Sequence, residues 1–252
     1  MDHFQNQQKI KMFDYVTKNS PRDSAYNWDN YTEEDYLNEV SKVGDNVFSM
    51  STPLLELQTV RRLAKKVKNG KILEIGSYIG KAALVMGDVL RQNNNKMYCV
   101  DPKLPPAFYK NIFAFGLQDH VQAVSLNSNH ALYMFEMCGV EFDMIFIDGD
   151  HTYRWVRHDI VNGLKVLKPN GILCGHDYFN FDGDVEEQLL KFDESIRDRM
   201  RGDIDRNGGS IKNLHYAVDN VLGKENIVLE NSIWIRKNSE EEIIFQDLER
   251  DF

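Results

Sequence analysis

Two short stretches concentrate the residue types that do chemistry: Asp148-Gly149-Asp150-His151 and His176-Asp177. Each follows an apolar run, Phe142 to Ile147 and Ile172 to Gly175, of the kind that forms a buried strand. Asp148 and Asp177 are therefore expected to end adjacent strands and to project their carboxylates into one crevice. Two convergent carboxylates beside imidazoles suit either a divalent cation or proton transfer, because a histidine titrates near neutrality. The candidate catalytic residues are His151, His176 and Asp148, and the candidate metal ligands are Asp148 and Asp177. A plainer reading makes His151 a cap residue before the helix at Tyr153, and His176 a histidine satisfied by backbone. Asp150 suits a helix N-terminus, and Asp159 reads as solvated or salt-bridged.

A second constellation lies upstream, Ile72-Leu-Glu74-Ile-Gly76-Ser77-Tyr78-Ile-Gly80. Its pattern is strand, turn, helix. Gly76 lets the backbone turn sharply and admits a ligand close by, and Gly80 opens a helix with its amides exposed. Neither GxGxxG nor a Walker lysine-hydroxyl pair is present, which weakens dinucleotide and triphosphate readings. Glu74 ends an apolar strand where an unpaired carboxylate is costly, so a ligand carrying an ammonium would account for it. Asp101 closes the next apolar run, 27 residues beyond Glu74, where a doubly wound sheet grips ribose hydroxyls.

The elements that must position these groups alternate regularly. Thr52-Pro53 is expected to cap a helix with Leu54, Leu57, Val60, Leu63, Ala64 and Val67 on one face, ended by Asn69-Gly70. Strands are predicted at Lys71–Ile75, Lys96–Val100, Val121–Leu126, Phe142–Ile147 and Ile172–Gly175. Helices are predicted at Gly80–Arg91, Ala107–Phe115, Asn129–Met137 and Tyr153–Leu167, the last stopped by Lys168-Pro169-Asn170-Gly171. Strands apolar throughout and alternating with helices mean a parallel sheet covered on both faces. A polar helix at Val185–Arg199, a Gly-rich loop at 202–209 and a helix at Asn213–Leu222 follow. Ile227–Leu229 and Ser232–Ile235 then read as an antiparallel pair at the sheet edge. Thr32 and Asp35 resemble a helix N-cap with Tyr36, Leu37 and Val40 as the apolar face. The cluster Arg61, Arg62, Lys65, Lys66 and Lys68 reads as a solvated helix face. Three units result: a helical lid extension at 1–51, the main domain at 52–238 and a charged tail at 239–252.

The 252 residues carry 30 basic and 39 acidic side chains, a net charge of −9 with no long basic block, which disfavours a nucleic-acid partner. No apolar run reaches the ~18 residues needed to cross a bilayer. The three cysteines show no CxxC spacing, and Cys99 and Cys174 sit in strand-like runs as buried thiols. With no apolar N-terminal leader, the expected compartment is the cytoplasm. Homodimerisation is left open.

The order Glu74-x-Gly76-x-x-x-Gly80, Asp101, Asn127-Ser128 and Phe142-Asp-Met-Ile-Phe-Ile-Asp148 resembles class I S-adenosylmethionine-dependent methyltransferases. The continuation Asp148-Gly-Asp-His-Thr-Tyr153, Leu167-Lys-Pro-Asn-Gly171, Gly175-His-Asp-Tyr178, Ala217-Val-Asp219 and Ser232-Ile-Trp234 is similar to the subgroup called methyltransferase family 24. The likeness spans about residues 52–237. It implies an α/β fold with a Rossmann-like seven-stranded, mostly parallel sheet, an antiparallel C-terminal strand and an N-terminal helical lid. It also implies S-adenosylmethionine as cofactor. The methionine part would lie against Glu74 and the turn Gly76, Ser77, Tyr78 and Gly80, and the ribose at Asp101. The adenine would lie beside Asn127 and Ser128, with Asp148 and Gly149 completing the pocket. A tyrosine, Tyr78, stands where the family's turn has its middle glycine. Metal-dependent catechol-type O-methyltransferases are similar at Asp148, but their Asp-Asn pair is Asp177-Tyr178 here. A Mg2+ site would then need a histidine as its third ligand.

The expected reaction is methyl transfer to a hydroxyl of a small-molecule acceptor such as a sugar, a phenol or a hydroxylated metabolite. Phe48, Tyr78, Tyr178 and Phe179 are candidates to line the acceptor pocket. A nicotinamide-dependent oxidoreductase would require the absent GxGxxG. A non-catalytic cofactor- or nucleotide-binding module would dispense with the pocket acids, all of which are present.

Overall fold

A computed structural model describes residues 32–43, 52–179, 190, 197 and 213–237. Phe48, the helix expected at Val185–Arg199, the Gly-rich loop, the charged tail and most of the N-terminal extension lie outside these residues.

The helices are α1 Glu33–Ser41, α2 Leu54–Ala64, α3 Lys81–Val85, α4 Gly87–Gln92, α5 Pro106–Ala114, α6 Ser128–Met137, α7 Tyr153–Val166 and α8 Leu214–Leu222. The strands are β1 Lys71–Ile75, β2 Lys96–Val100, β3 Val121–Val124, β4 Phe142–Ile147, β5 Leu167–Gly175, β6 Ile227–Glu230 and β7 Ile233–Arg236. They form one seven-stranded sheet in the order β3-β2-β1-β4-β5-β7-β6. The first five run parallel, and β7 pairs antiparallel with both β5 and β6. The strand order reverses between β1 and β4, and such a switch point leaves a crevice beyond the strands' C-terminal ends.

Alternation along each strand divides the interior into two layers. Ile72, Met97, Cys99, Met144 and Phe146 face a core shared with α1 to α5, while Leu73, Ile75, Val100, Ile145 and Ile147 face α6, α7 and α8. Both faces are buried, which is why these strands read as unbroken apolar runs. Tyr36 and Val40 place α1 in the first layer, behind a Thr32–Asp35 capping box.

Three expectations need correction. The helix over Gly80–Arg91 divides at Met86 into α3 and α4. The Tyr36 hydroxyl of α1 donates to the Leu84 carbonyl at 2.6 Å, the acceptor that would continue the helical ladder. Lys168-Pro-Asn-Gly171 does not precede the strand; it bulges out of it. Leu167 pairs with Phe142 and Ile172 with Met144, and Asn170 adopts φ 62° to make the detour. Arg61 is not on a solvated face. It is 3% exposed and forms a bidentate pair with Asp88, with Glu33 also in reach. Asp159, expected to be solvated or salt-bridged, is the latter: it is buried and pairs with His158 at 3.0 Å.

Candidate active site

The C-terminal ends of β1, β2 and β4, the N-termini of α3 and α6, and α7 enclose a cavity of about 530 Å3. Glu74, Gly76, Ser77, Tyr78, Asp101, Asn127, Ser128, Asp148, Gly149 and His151 all line it, with Thr52, Trp155 and Asp159. Gly80 lies just behind, as the left-handed N-cap of α3 at φ 81°.

Gly76 has φ 90°, and a Cβ there would be driven into the Asp148 carbonyl, so the β1 turn and the end of β4 touch backbone to backbone. Tyr78 takes the left-handed φ of 42° that the resemblance would give to glycine. Its amide donates to Asp101 Oδ2 at 3.0 Å, which offsets part of the strain and ties the turn to the end of β2. Asp101 Oδ1 accepts from the Lys103 amide at 2.8 Å, fixing the carboxylate at the rim.

Glu74 is 2% exposed. Its Oε2 accepts from the Ser77 hydroxyl at 2.8 Å, and the Cys99 thiol of the neighbouring strand also bonds to it. Burial pushes its carboxyl up to about 8, the Ser77 and Cys99 hydrogen bonds pull the other way, and the negative charges of Asp148 and Asp101 add to the rise. No side-chain cation within the cavity pairs with it among the described residues, so a cationic ligand group is the partner that would ionise it.

At the other side of the switch point the acids and histidines interlock. His151 is 29% exposed on its side chain; its Nδ1 lies 2.9 Å from Asp177 Oδ2 and its Nε2 3.9 Å from Asp148 Oδ1. Burial lowers its affinity for a proton, but Asp177 and Asp148 outweigh that and raise it. Asp177 itself holds a left-handed φ of 59°, local strain of the sort found at functional positions. One atom from each of Asp148, His151 and Asp177 falls within 4.8 Å of the others. Two carboxylate oxygens and an imidazole nitrogen suit a hard or borderline divalent cation, and the histidine would supply the ligand that the Asp177-Tyr178 pair lacks.

His176 does not fit the base expected of it. Its side chain is fully buried, with Nδ1 3.0 Å from Asp148 Oδ1 and Nε2 3.0 Å from Glu56 Oε2. Burial disfavours its charged form, yet Asp177, Asp148 and Glu56 together hold the ring protonated well above the ordinary histidine range. A ring that donates from both nitrogens has no lone pair for an incoming proton.

Thr52, Glu56 and Ser232 belong to this cluster, and the sequence assigned none of them to the site. Thr52 does not cap α2; Pro53 takes that place, and the Thr52 hydroxyl donates to Asp148 Oδ2 at 2.6 Å. Glu56 Oε1 receives the Ser232 hydroxyl and, at 3.3 Å, the Ser232 amide. Tyr178 and Phe179 are buried and do not line the cavity, the Tyr178 hydroxyl donating to Asp219 at 2.8 Å; among the described residues, Tyr78 alone of the expected aromatics lines it.

Known proteins share this fold. A family model described as a methyltransferase domain, of family 24, matches residues 73–178, from β1 through the end of β5. No curated protein matches the chain in sequence. Among solved structures, an S-adenosylhomocysteine-bound methyltransferase from Podospora anserina aligns with TM-score 0.58 and 18% identity over 92% of this chain and 96% of its own. An O-methyltransferase from Bacillus cereus, in complex with S-adenosylhomocysteine, gives TM-score 0.58 and 16% identity over 88% and 100%. An O-methyltransferase of tomaymycin synthesis from Streptomyces achromogenes gives 0.56 and 11% over 82% and 92%. These identities speak to fold alone. Residues 73–178 match the methyltransferase domain of family 24, on the fold that these S-adenosylmethionine-dependent O-methyltransferases share.

Proposed function

We propose that this enzyme methylates a hydroxyl oxygen of a small molecule. The observation that carries the reading is the His151–Asp177 pair at 2.9 Å, the partly exposed member of which lines the cofactor cavity. Glu74 and the Gly76–Gly80 turn would hold the methionine part, with the ligand ammonium ionising Glu74. Asp101 would bind the ribose hydroxyls, Asn127 and Ser128 the adenine, and Asp148 and Gly149 the wall beside the sulfonium.

Asp177 accepts from His151 Nδ1, which leaves Nε2 as the acceptor facing the cavity. S-adenosylmethionine, when bound, would supply the methyl to the acceptor oxygen and keep the sulfur as a neutral thioether, while His151 Nε2 would take the hydroxyl proton. Alignment of the two reactants supplies most of the rate, and proton removal a further ~10²–10⁴-fold. His176, clamped by Glu56 and Asp148, positions Asp148 rather than moving a proton.

A second reading is favoured by the Asp148, His151 and Asp177 cluster. These three would hold a divalent cation such as Mg2+, which when bound would polarise the acceptor hydroxyl and ease its deprotonation. His151 then serves as ligand and not as base. Methyl transfer across a panel of sugars, phenols and hydroxylated metabolites, with and without chelator, separates the two. Activity that survives chelation supports the base. Loss that Mg2+ restores supports the metal. Protein that binds no S-adenosylmethionine by calorimetry refutes both.

A further inference from the structure

Asp159 is a buried acid that the transfer reaction does not use. It sits on the second turn of α7, is 1% exposed, and lines the cavity at the end formed by Asn127, Ser128 and Trp155. Its Oδ1 lies 3.0 Å from His158 Nδ1, and the Ser128 side chain is also bonded to the carboxyl. His158 continues the chain outward, with Nε2 3.1 Å from Asn129 Oδ1. The relay Asn129–His158–Asp159–Ser128 thus ties the start of α6 to α7 across one wall of the cavity.

We propose that Asp159 is a specificity-determining residue for the cofactor's purine, accepting a hydrogen bond from the exocyclic amino group at C6 and rejecting a 6-oxo purine. The inference rests on the cofactor reading above, which places the adenine beside Asn127 and Ser128. The direction of the relay carries it. Asn129 Oδ1 is an acceptor, so His158 Nε2 donates to it and the remaining proton is shared between His158 Nδ1 and Asp159 Oδ1. Whichever of the two holds that proton, Asp159 Oδ2 carries none. The oxygen left for a ligand is therefore an acceptor in both states. Burial raises the Asp159 carboxyl while the Ser128 and His158 bonds oppose the rise, in keeping with a proton shared with His158. An amino group on the purine satisfies this oxygen, whereas a carbonyl in its place sets two acceptors against each other in a desolvated pocket, a mismatch that buried polar sites reject strongly.

The test is calorimetric binding of S-adenosylhomocysteine and of S-inosylhomocysteine, which differ at C6 and in the N1 proton, to the full chain. Wild type is expected to prefer the adenine compound by about tenfold or more. Asp159→Ala is expected to narrow the preference to within about threefold, by weakening the adenine compound and leaving the inosine compound unchanged. Asp159→Asn should keep the preference, because its amide can donate to His158 and turn its carbonyl to the ligand. His158→Ala, at a side chain that is 25% exposed and so tolerant of truncation, should narrow the preference by freeing the carboxyl proton to face the cavity. Equal binding of both compounds by wild type overturns the proposal and leaves the cofactor reading standing. Parallel weakening of both compounds in Asp159→Ala also overturns it, since that is what a merely structural role produces. Wild type that binds neither compound refutes the cofactor reading and this inference with it.

Discussion

Glu56 on α2 and His176 at the end of β5 lie 120 residues apart in sequence and share a 3.0 Å hydrogen bond between side chains that no solvent reaches. On its other nitrogen the same ring holds Asp148, so a glutamate that never touches the cavity sets the position of an acid that lines it. Removing one partner of a buried charged pair strands the other without compensation, at about 3–5 kcal/mol. Glu56→Ala is therefore expected to lower the denaturant midpoint steeply, and Glu56→Gln, which keeps an acceptor for His176, to lower it less. Equal midpoints for the two variants would show that the charge carries the whole effect.

Arg61 and Arg62 are adjacent in sequence and opposite in environment. Arg61 is buried against Asp88, whereas Arg62 and its partner Glu230 are 36% and 33% exposed. Exposed pairs contribute up to about 1 kcal/mol. Urea unfolding of Arg61→Ala should show a loss of about 3–5 kcal/mol, and Arg62→Ala a loss of no more than about 1 kcal/mol.

Replacing His151 separates catalysis from cofactor binding. His151→Ala is expected to reduce kcat by about 10²-fold or more while S-adenosylmethionine affinity stays within a fewfold of wild type. A variant that keeps its turnover removes His151 from the chemistry under either reading of the site.

Glu74 makes binding and stability depend on pH in opposite senses. In the empty protein its carboxyl titrates at about 8 instead of 4.5, so the folded state holds a proton that the unfolded chain releases. The stability this contributes is full below 4.5 and lost as pH rises through 8. The ligand ammonium calls for the ionised form, so binding releases a proton and affinity climbs with pH until about 8. Glu74→Gln should flatten both slopes and weaken S-adenosylmethionine by roughly 10–100-fold, the worth of a hydrogen bond to a charged group. Melting curves against pH, with calorimetry in buffers of different ionisation enthalpy, measure both.

Much of this architecture is legible because its strands are buried on both faces. Lys71–Ile75, Lys96–Val100 and Phe142–Ile147 stand where their apolar runs place them, and the acids that follow line one cavity. What escapes reading is contact over long separations. Glu56 and Arg61 look like ordinary polar positions on an amphipathic helix, and only the folded chain sets them against His176 and Asp88. The bulge at Lys168–Gly171 hides because Pro-Asn-Gly signals a turn equally well before a strand or within one. In sequence His176 reads as a base or a satisfied histidine alike, because a histidine's role depends on what flanks both its nitrogens and Glu56 belongs to a distant helix.

The bond from Ser232 to Glu56 spans 176 residues, from the start of β7 back to α2. A chain made from its N-terminus holds Glu56, Asp148 and His176 long before Ser232 exists. Until that serine arrives, the acid at the centre of the cluster lacks one of its hydrogen-bonded partners, and a long loop is still to be closed. During synthesis the His176 end of the sheet is therefore completed after β1, β2 and β4 have been made. A ribosome-bound intermediate halted before Ser232 should hold the nucleotide half of the pocket without the fully braced reaction centre.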